Sequence, residues 1–145
     1  MGALNEASFQ IEPRRSSVSA FADELAAYCE KHDVPMAVLL AFQVALDEVL
    51  TNIIDYAHPE HPVSLIAIHV STPPGGLEIT IEDNGIAFNP LESDADPDLE
   101  QSLEERPIGG LGIHLVKSLM DTLEYRRQNN RNRLTLSKSL PDHGQ

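Results

Sequence analysis

The sequence predicts an α+β fold, a two-layer α/β sandwich in which three helices cover one mostly antiparallel sheet. The predicted elements run strand, two helices, two strands, a long polar loop, one helix and two strands. Short turn sequences, Gly75-Gly76 and the polar run 129–132, separate consecutive strands, which favours hairpins. The helices are grouped between these hairpins and do not alternate with single strands, so we do not predict a doubly wound parallel sheet.

The N-terminal part of the chain predicts one strand and two helices. Residues 7–12 alternate apolar and polar, as a half-buried strand does. Ser16 or Ser17 is the predicted N-cap of the first helix. The apolar face of that helix is expected to contain Val18, Phe21, Ala22, Leu25 and Cys29. Pro35 is expected in the first turn of the second helix, which extends to about 58–59 and is apolar on most sides, as a core helix is.

The rest of the chain predicts two hairpins on either side of a loop and a helix. The predicted strands are 63–70, 77–82, 123–128 and 133–137. Residues 89–106 are acidic and proline-containing and lack a sustained apolar period, which is typical of a lid or a binding segment. A glycine cluster at 109–112 opens the third helix, which is expected to reach about Met120.

Composition narrows the class of protein. A chain of 145 residues suits one domain, and its net charge of −13 repels phosphate backbones, so we expect no direct binding to nucleic acid. No apolar run approaches the ~20 residues that cross a bilayer, and the N-terminus does not resemble a secretory signal. Cys29 has no second cysteine to pair with and is expected to be a buried thiol. We therefore expect a cytoplasmic protein with no membrane partner.

The first candidate motif is Glu48-x-x-x-Asn52 on the second helix. A spacing of four residues places both side chains on one face, one turn apart. An asparagine carbonyl oxygen suits Mg²⁺, and a nearby carboxylate can accept a proton from a hydroxyl group. Taken alone, the pair is better interpreted as a solvated edge of the helix.

The second motif is Asp83-x-Gly85 at the end of a predicted strand. An ionised aspartate only accepts hydrogen bonds, so it can select the exocyclic amino group of adenine, and the glycine lets a flat ring approach the backbone. Taken alone, an Asn-Gly turn is the better interpretation.

The third motif is the glycine cluster Gly109-Gly110-Leu111-Gly112, which leads into Ile113. Glycines at a helix N-terminus let successive amides face an anion, and the helix dipole adds to the attraction. No Gly-Lys-Ser/Thr follows, so this is not a P-loop, and an acidic loop in place of a strand precedes it, which excludes a Rossmann turn. A flexible helix entry is the alternative.

Together these three motifs, each on the expected element and in this order, resemble the GHKL ATPases. Glu48 and Asn52 match the N-box, 83–85 the first glycine box and 109–112 the second. The resemblance covers nearly the whole chain and is strongest to the anti-sigma regulatory serine kinases, which are short single domains. It implies a Bergerat-type fold, a single histidine-kinase-like ATPase domain over 1–145 and an ATP lid at about 89–106.

The resemblance also implies roles for individual residues. Asn52 would hold Mg²⁺, Asp83 and Gly85 would bind adenine, and Glu48 would be the general base. Arg106 resembles an arginine that steadies the terminal phosphate, although an exposed lid arginine is an equal alternative. ATP would be bound further through the residues of the second glycine box, Gly109, Gly110, Leu111, Gly112 and Ile113.

By the same resemblance, the protein would be an ATP-dependent serine kinase that phosphorylates an anti-anti-sigma (STAS-type) partner and, as a homodimer, sequesters a sigma factor. Two alternatives stay open. One is a nucleotide-gated binding module without catalysis, which has no need of a base at Glu48. The other, disfavoured because 16–32 is one short helix, is the catalytic piece of a histidine kinase.

Three positions depart from the family pattern. Tyr56 stands where a histidine is common, the first glycine box continues as Ile86-Ala87 where a second glycine is frequent, and Asn132-Arg133 stands where a Gly-Thr pair is frequent. None of the three is expected to prevent ATP binding, but each bears on transfer rate and partner choice.

Overall fold

Among the described residues, one five-stranded antiparallel sheet forms a layer of the molecule. The computed structural model describes residues 5–55, 60, 62–92 and 110–141. The strands are β1 (Asn5–Ile11), β2 (Ile66–Thr72), β3 (Gly76–Asp83), β4 (Thr122–Gln128) and β5 (Arg131–Ser139). Their order in the sheet is β1-β2-β3-β5-β4, and every neighbouring pair is antiparallel. The predicted α+β fold with an antiparallel sheet is confirmed.

In the part of the chain that the structure describes, three helices form the second layer. They are α1 (Arg15–Lys31), α2 (Met36–Asp55) and α3 (Gly110–Leu119), and a short 3₁₀ turn covers Pro90–Glu92. The predicted cap of α1 is wrong by two or three residues. Arg14 is the N-cap, without a side-chain cap bond, and its carbonyl accepts the Ser17 amide at 3.0 Å. Pro35 precedes α2, and its carbonyl accepts the first helical amides, from Val38 and Leu39.

The core lies between the helices and the inner face of the sheet. Its largest fully buried side chains are Phe21, Phe42, Leu25, Leu50, Ile66, Ile68, Leu77, Ile79, Ile81 and Leu136. By length and composition alone, α2 could cross a membrane, since it has 20 residues and is strongly apolar. Eight of its side chains are nevertheless buried in this core, and it packs between α1 and α3. Here α2 is the central helix of a globular domain, as its sequence predicts.

The β4–β5 hairpin has a shorter turn than its sequence suggests. Only Asn129 and Asn130 form the turn, and both have positive φ (53° and 61°), a conformation that asparagine tolerates well. Residues 131 and 132, which we expected in the turn, are the first two of β5. Asn132 thereby pairs with Asp83 across β3 and β5.

Candidate functional site

A cavity lies between α2, the start of α3 and the sheet where β3 ends and β5 begins. It spans about 760 Å³ of space, part of which is open to solvent. Five of the predicted site residues line it, and they come from α2, β3, the segment that follows β3, and α3. Those residues are Glu48, Asn52, Asp83, Gly85 and Ile113. The fold thus brings the first two motifs to one cavity, together with Ile113, which follows the third.

The walls of the cavity between these polar groups are largely apolar. Branched side chains from α2, β3, β5 and the loop before β2 form them: Val49, Ile53, Val63, Ile81 and Leu134. Ile86 and Phe88, both partly exposed, continue the apolar surface where the chain leaves β3. A planar, weakly polar ring fits such a surface, because its faces need no hydrogen bonds.

Asp83 lies at one end of the cavity, which we call the β3 end. Its side chain is buried, with 6% exposure. The Gly85 amide donates to Asp83 Oδ1 at 2.9 Å, and Asn132 Nδ2 donates to the same oxygen at 3.1 Å. No donor in the described part of the chain bonds Asp83 Oδ2. Because a buried carboxylate oxygen without a partner is costly, Oδ2 is the acceptor available to a ligand.

Gly85 leaves space beside this carboxylate. A Cβ atom at position 85 would lie 3.0 Å from Asp83 Oδ1 and 3.1 Å from Val63 Cγ2, closer than ordinary contacts. Any side chain here would push against the carboxylate and narrow the apolar wall. The glycine therefore keeps the backbone open at the β3 end, as its sequence context predicts.

Asn132 is a site residue that sequence reasoning missed. It is 8% exposed, and its carboxamide bonds four residues besides Asp83. Nδ2 donates to the Ile86 carbonyl at 2.8 Å, while Oδ1 accepts from Tyr125 Oη at 2.5 Å, the Phe88 amide at 3.1 Å and Arg127 at 3.2 Å. In the sequence, Asn132 stood out only as a departure from a frequent family Gly-Thr pair, because the polar run 129–132 was expected to be a turn, where asparagine is common.

Glu48 and Asn52 lie at the other end, which we call the α2–α3 end. Both side chains are half-buried, and neither makes a hydrogen bond or ion pair with another residue that the structure describes. Glu48 packs directly on the first turn of α3, because a Cβ atom at Gly112 would overlap its Cδ and Oε2 atoms. A glycine at 112 is what lets this carboxylate lie against the helix N-terminus, where the dipole favours negative charge.

The charged side chains among the described residues that line the cavity are all acidic. Glu48 and Asp83 bring two carboxylates, whereas none of the described residues that line it is a lysine or an arginine. The described residues also contain no group of three His, Cys, Asp or Glu side chains that could hold a metal ion unaided.

The chain matches the model of the histidine kinase-like ATPase domain over residues 11–138. That span includes the whole cavity and all three motifs. The chain belongs to the histidine kinase-like ATPase family. The family is one of ATP-using domains, and the resemblance stated from the three motifs is confirmed.

Two relatives by sequence are named as serine or serine/threonine kinases. The serine/threonine-protein kinase BtrW of Bordetella bronchiseptica is 38% identical over 100 residues, which are 66% of this chain and 68% of BtrW. The serine-protein kinase RsbW of Bacillus cereus is 38% identical over 85 residues. The match to RsbW takes in 57% of this chain and spans about half of that relative (52%).

Solved structures share the fold of this ATPase domain. The crystal structure of the RsbU and RsbW domains of a Mycobacterium tuberculosis protein superposes with a TM-score of 0.64, at 11% identity, over 94% of this chain and 32% of that one. SiaB in the SiaB–SiaC complex of Pseudomonas aeruginosa gives a TM-score of 0.60, at 15% identity, over 92% of this chain and 89% of that one. These likenesses concern the fold.

Some predicted positions lie outside the described residues. Gly109, Arg106 and Tyr56 are among them, as is most of the predicted ATP lid. Gly110 is the first residue of α3, one position after the predicted start, and Leu111 follows in the same turn. The roles predicted for Arg106 and Gly109 stay predictions.

Proposed function

We propose that this chain is an ATP-dependent protein-serine kinase that acts on an anti-anti-sigma partner and regulates transcription by partner switching. One observation carries the proposal. The Glu48 carboxylate packs on the first turn of α3, in the cavity that Asn52 and Asp83 also line. This proximity of a carboxylate to a helix N-terminus supports the proposal, because transfer of a phosphoryl group to a hydroxyl uses a proton acceptor beside groups that attract the phosphates.

The β3 end of the cavity is the proposed site of the adenine base. Asp83 Oδ1 is occupied by two donors, so Oδ2 is left to accept a hydrogen bond from the exocyclic amino group. Guanine carries an acceptor oxygen at the equivalent ring position and would be repelled by the carboxylate. The branched side chains of the walls would hold the faces of the ring.

Asn52 is the proposed protein ligand of Mg²⁺. A carboxamide oxygen is a hard ligand, and Mg²⁺ in nucleotide sites commonly takes one or two protein oxygens, with phosphates and water as its other ligands. The absence of lysine and arginine from the described cavity lining supports this assignment. The bound ion would neutralise phosphate charge beside the two carboxylates and orient the terminal phosphoryl group.

Glu48 is the proposed general base. The serine hydroxyl of the partner gives its proton to the carboxylate as the serine oxygen forms a bond to the γ-phosphorus. The bond from that phosphorus to the β,γ-bridging oxygen breaks, and ADP leaves with the electron pair. The first turn of α3, with Gly112 and Ile113, would present backbone amides to the phosphates, as would Gly109, Gly110 and Leu111.

The proposed partners follow from the relatives. RsbW and BtrW are named as serine or serine/threonine kinases, and we propose the same class of substrate here, a serine of a small STAS-type protein. Sequestration of a sigma factor, a homodimeric state and a cytoplasmic location belong to the same proposal. The acidic surface, with a net charge of −13, favours protein partners over nucleic acid.

The test is a transfer assay with γ-labelled ATP, Mg²⁺ and STAS-type proteins encoded by the same genome. We expect one of them to acquire label on a serine, and label should be lost when that serine is replaced by alanine. Histidine kinase chemistry would instead give an acid-labile product on this chain itself. If nucleotide binds with Mg²⁺ while no partner becomes labelled, and a partner is nevertheless retained in one nucleotide state, the protein is a gated binder and the kinase proposal is wrong.

A further inference from the structure

The carboxamide of Asn132 joins three parts of the β3 end. It bonds Asp83 on β3, Tyr125 and Arg127 on β4, and the backbone of the segment that follows β3 at Ile86 and Phe88. Asn132 is one of only three buried polar or charged residues in the described part of the chain, and Asp83 is another. A buried amide with every bonding position filled is a fixed structural element.

The orientation of this amide is decided by its neighbours. The Phe88 amide and the Arg127 guanidinium can only donate, so the atom that faces them must be the carbonyl oxygen. The NH₂ group must then point the other way, toward the Ile86 carbonyl and Asp83 Oδ1, both of which accept. A flipped amide would place donors against donors and acceptors against acceptors.

The fixed Asn132 Nδ2 donor determines the orientation in which the Asp83 carboxylate faces a ligand. Because Asn132 Nδ2 and the Gly85 amide both hold Oδ1, rotation of the carboxylate about its Cβ–Cγ bond would break two hydrogen bonds. The second oxygen therefore keeps one direction. We propose that Asn132 is a positioning residue that makes the β3 end selective for adenine over guanine, by presenting Asp83 Oδ2 as a single oriented acceptor. The inference rests on the proposed role of Asp83 in base recognition.

Two contributions of Asn132 can be separated by comparing nucleotides. Its bonds to Ile86 and Phe88 hold the apolar wall, which would contact either purine. Its bond to Asp83 instead affects only the contact of that carboxylate with the exocyclic group of the base. Loss of the wall would weaken ATP and GTP equally. Loss of the oriented carboxylate weakens ATP while GTP stays the same or improves.

The experiment measures dissociation constants of ATP and GTP with Mg²⁺ for wild type, Asn132→Ala, Asp83→Ala and the double variant. We expect Asn132→Ala to weaken ATP about tenfold, the loss of a hydrogen bond to a charged group, and to leave GTP unchanged. In the Asp83→Ala background, the same substitution should change the ATP constant less than about twofold, because coupled residues are not additive. Thr135→Val is the matched control, since Thr135 bonds Thr80 on the opposite face of the same strand.

A second variant, Asn132→Asp, keeps the shape of the side chain and the three hydrogen bonds that its Oδ1 accepts. It presents an acceptor to Asp83 Oδ1 and should lose ATP selectivity at least as strongly as Asn132→Ala. An equal loss of ATP and GTP affinity, or no loss in either variant, overturns the positioning role. If Asp83→Ala weakens ATP while both Asn132 variants bind normally, only this inference fails. If Asp83→Ala binds ATP as wild type does, the proposed base recognition fails with it.

Discussion

The two ends of the cavity are built in different ways. At the β3 end, Asp83 and Asn132 are buried, and their hydrogen bonds link β3, β4, β5 and the segment after β3. At the α2–α3 end, the side chains of Glu48 and Asn52 are half-buried and make no hydrogen bond with another residue that the structure describes. One end is fixed by the protein, whereas the other has polar groups that are still without partners.

The difference follows from what each end is proposed to hold. A base is the same before and after phosphoryl transfer, so a rigid site with prealigned acceptors binds it at little cost in ordering. The terminal phosphoryl group changes its bonds during the reaction and arrives with a cation. Side chains that contact it must keep bonding capacity for the metal ion, the phosphates and the incoming hydroxyl.

The largest expected effect tests the α2–α3 end. Glu48→Gln keeps the size of the side chain but removes its capacity to take a proton, so transfer to the partner serine should fall by ~10²–10⁴-fold. ATP affinity should stay within about twofold, because the base acts in the transition state. Single-turnover transfer and nucleotide titration measure the two quantities. Asp47→Asn, at the exposed neighbouring carboxylate, is the control, and wild-type transfer by Glu48→Gln would exclude Glu48 as the base.

Sequence reasoning reached the α2–α3 end through helical spacing. Four residues separate Glu48 from Asn52, and this interval alone places them on one face of α2, whatever the tertiary structure. The contact of Glu48 with Gly112 could not be predicted in the same way, because it depends on how α2 and α3 pack. The resemblance to a family placed both motifs in one site, and the geometry brings them together.

The β3 end shows where such reasoning stops. Asp83 and Gly85 were found because they are close in sequence, but Asn132 is 49 residues away from Asp83 and reaches it only through strand register. We expected 129–132 to form a polar turn. The turn takes only Asn129 and Asn130, and this two-residue difference moves Asn132 into β5. Errors at element boundaries thus hid a buried site residue.

Gly112→Ala tests whether the contact between Glu48 and α3 is needed. Alanine favours a helix over glycine by about 1 kcal/mol, so thermal stability should be unchanged or higher. The added Cβ would displace the Glu48 carboxylate, and a shift of this kind lowers transfer by up to about 10²-fold. Single-turnover transfer should therefore fall while the melting temperature stays the same or rises. A Gly112→Ala variant with wild-type transfer would show that Glu48 can reach its working position from elsewhere.

Asp83→Asn tests the β3 end directly. The amide can turn donors toward the exocyclic amino group, so ATP affinity should fall about 10- to 100-fold, the range for hydrogen bonds to charged groups. GTP affinity should rise or stay the same, and calorimetry with both nucleotides measures the ratio. The control is Asn84→Asp, which changes the charge of the exposed residue directly after Asp83. Equal binding of ATP and GTP by wild type would contradict the adenine assignment.

Asn52→Ala separates metal from nucleotide at the α2–α3 end. Removal of the carboxamide oxygen should weaken ATP about tenfold when Mg²⁺ is present, at the lower end of losses for groups that support a metal. With a chelator in place of Mg²⁺, wild type and variant should bind ATP equally, since the lost contact is to the ion. Thr51→Val, one residue earlier on α2, is the control. A loss of equal size in the chelator would assign Asn52 to the nucleotide itself.

The smallest effect concerns a carboxylate that belongs to neither end. The Ser139 amide donates to Asp121 Oδ2 at 2.6 Å, and this bond, together with the Ser139 hydroxyl, lowers the pKa of Asp121. Because the pKa is lower in the folded state, the ionised form stabilises the fold at any pH above the ordinary aspartate pKa of about 4. This stabilisation is lost as the pH falls through the folded-state pKa. Asp121→Asn should therefore lower the melting temperature slightly at pH 7 and flatten its decline below about pH 4.

The ATP dissociation constant of Asp121→Asn should not change, because Asp121 does not line the cavity. A change in ATP affinity would mean that distant acidic side chains affect the nucleotide through the overall electrostatic field of this chain. The difference between the two ends of the cavity could then not be explained by the side chains at each end alone.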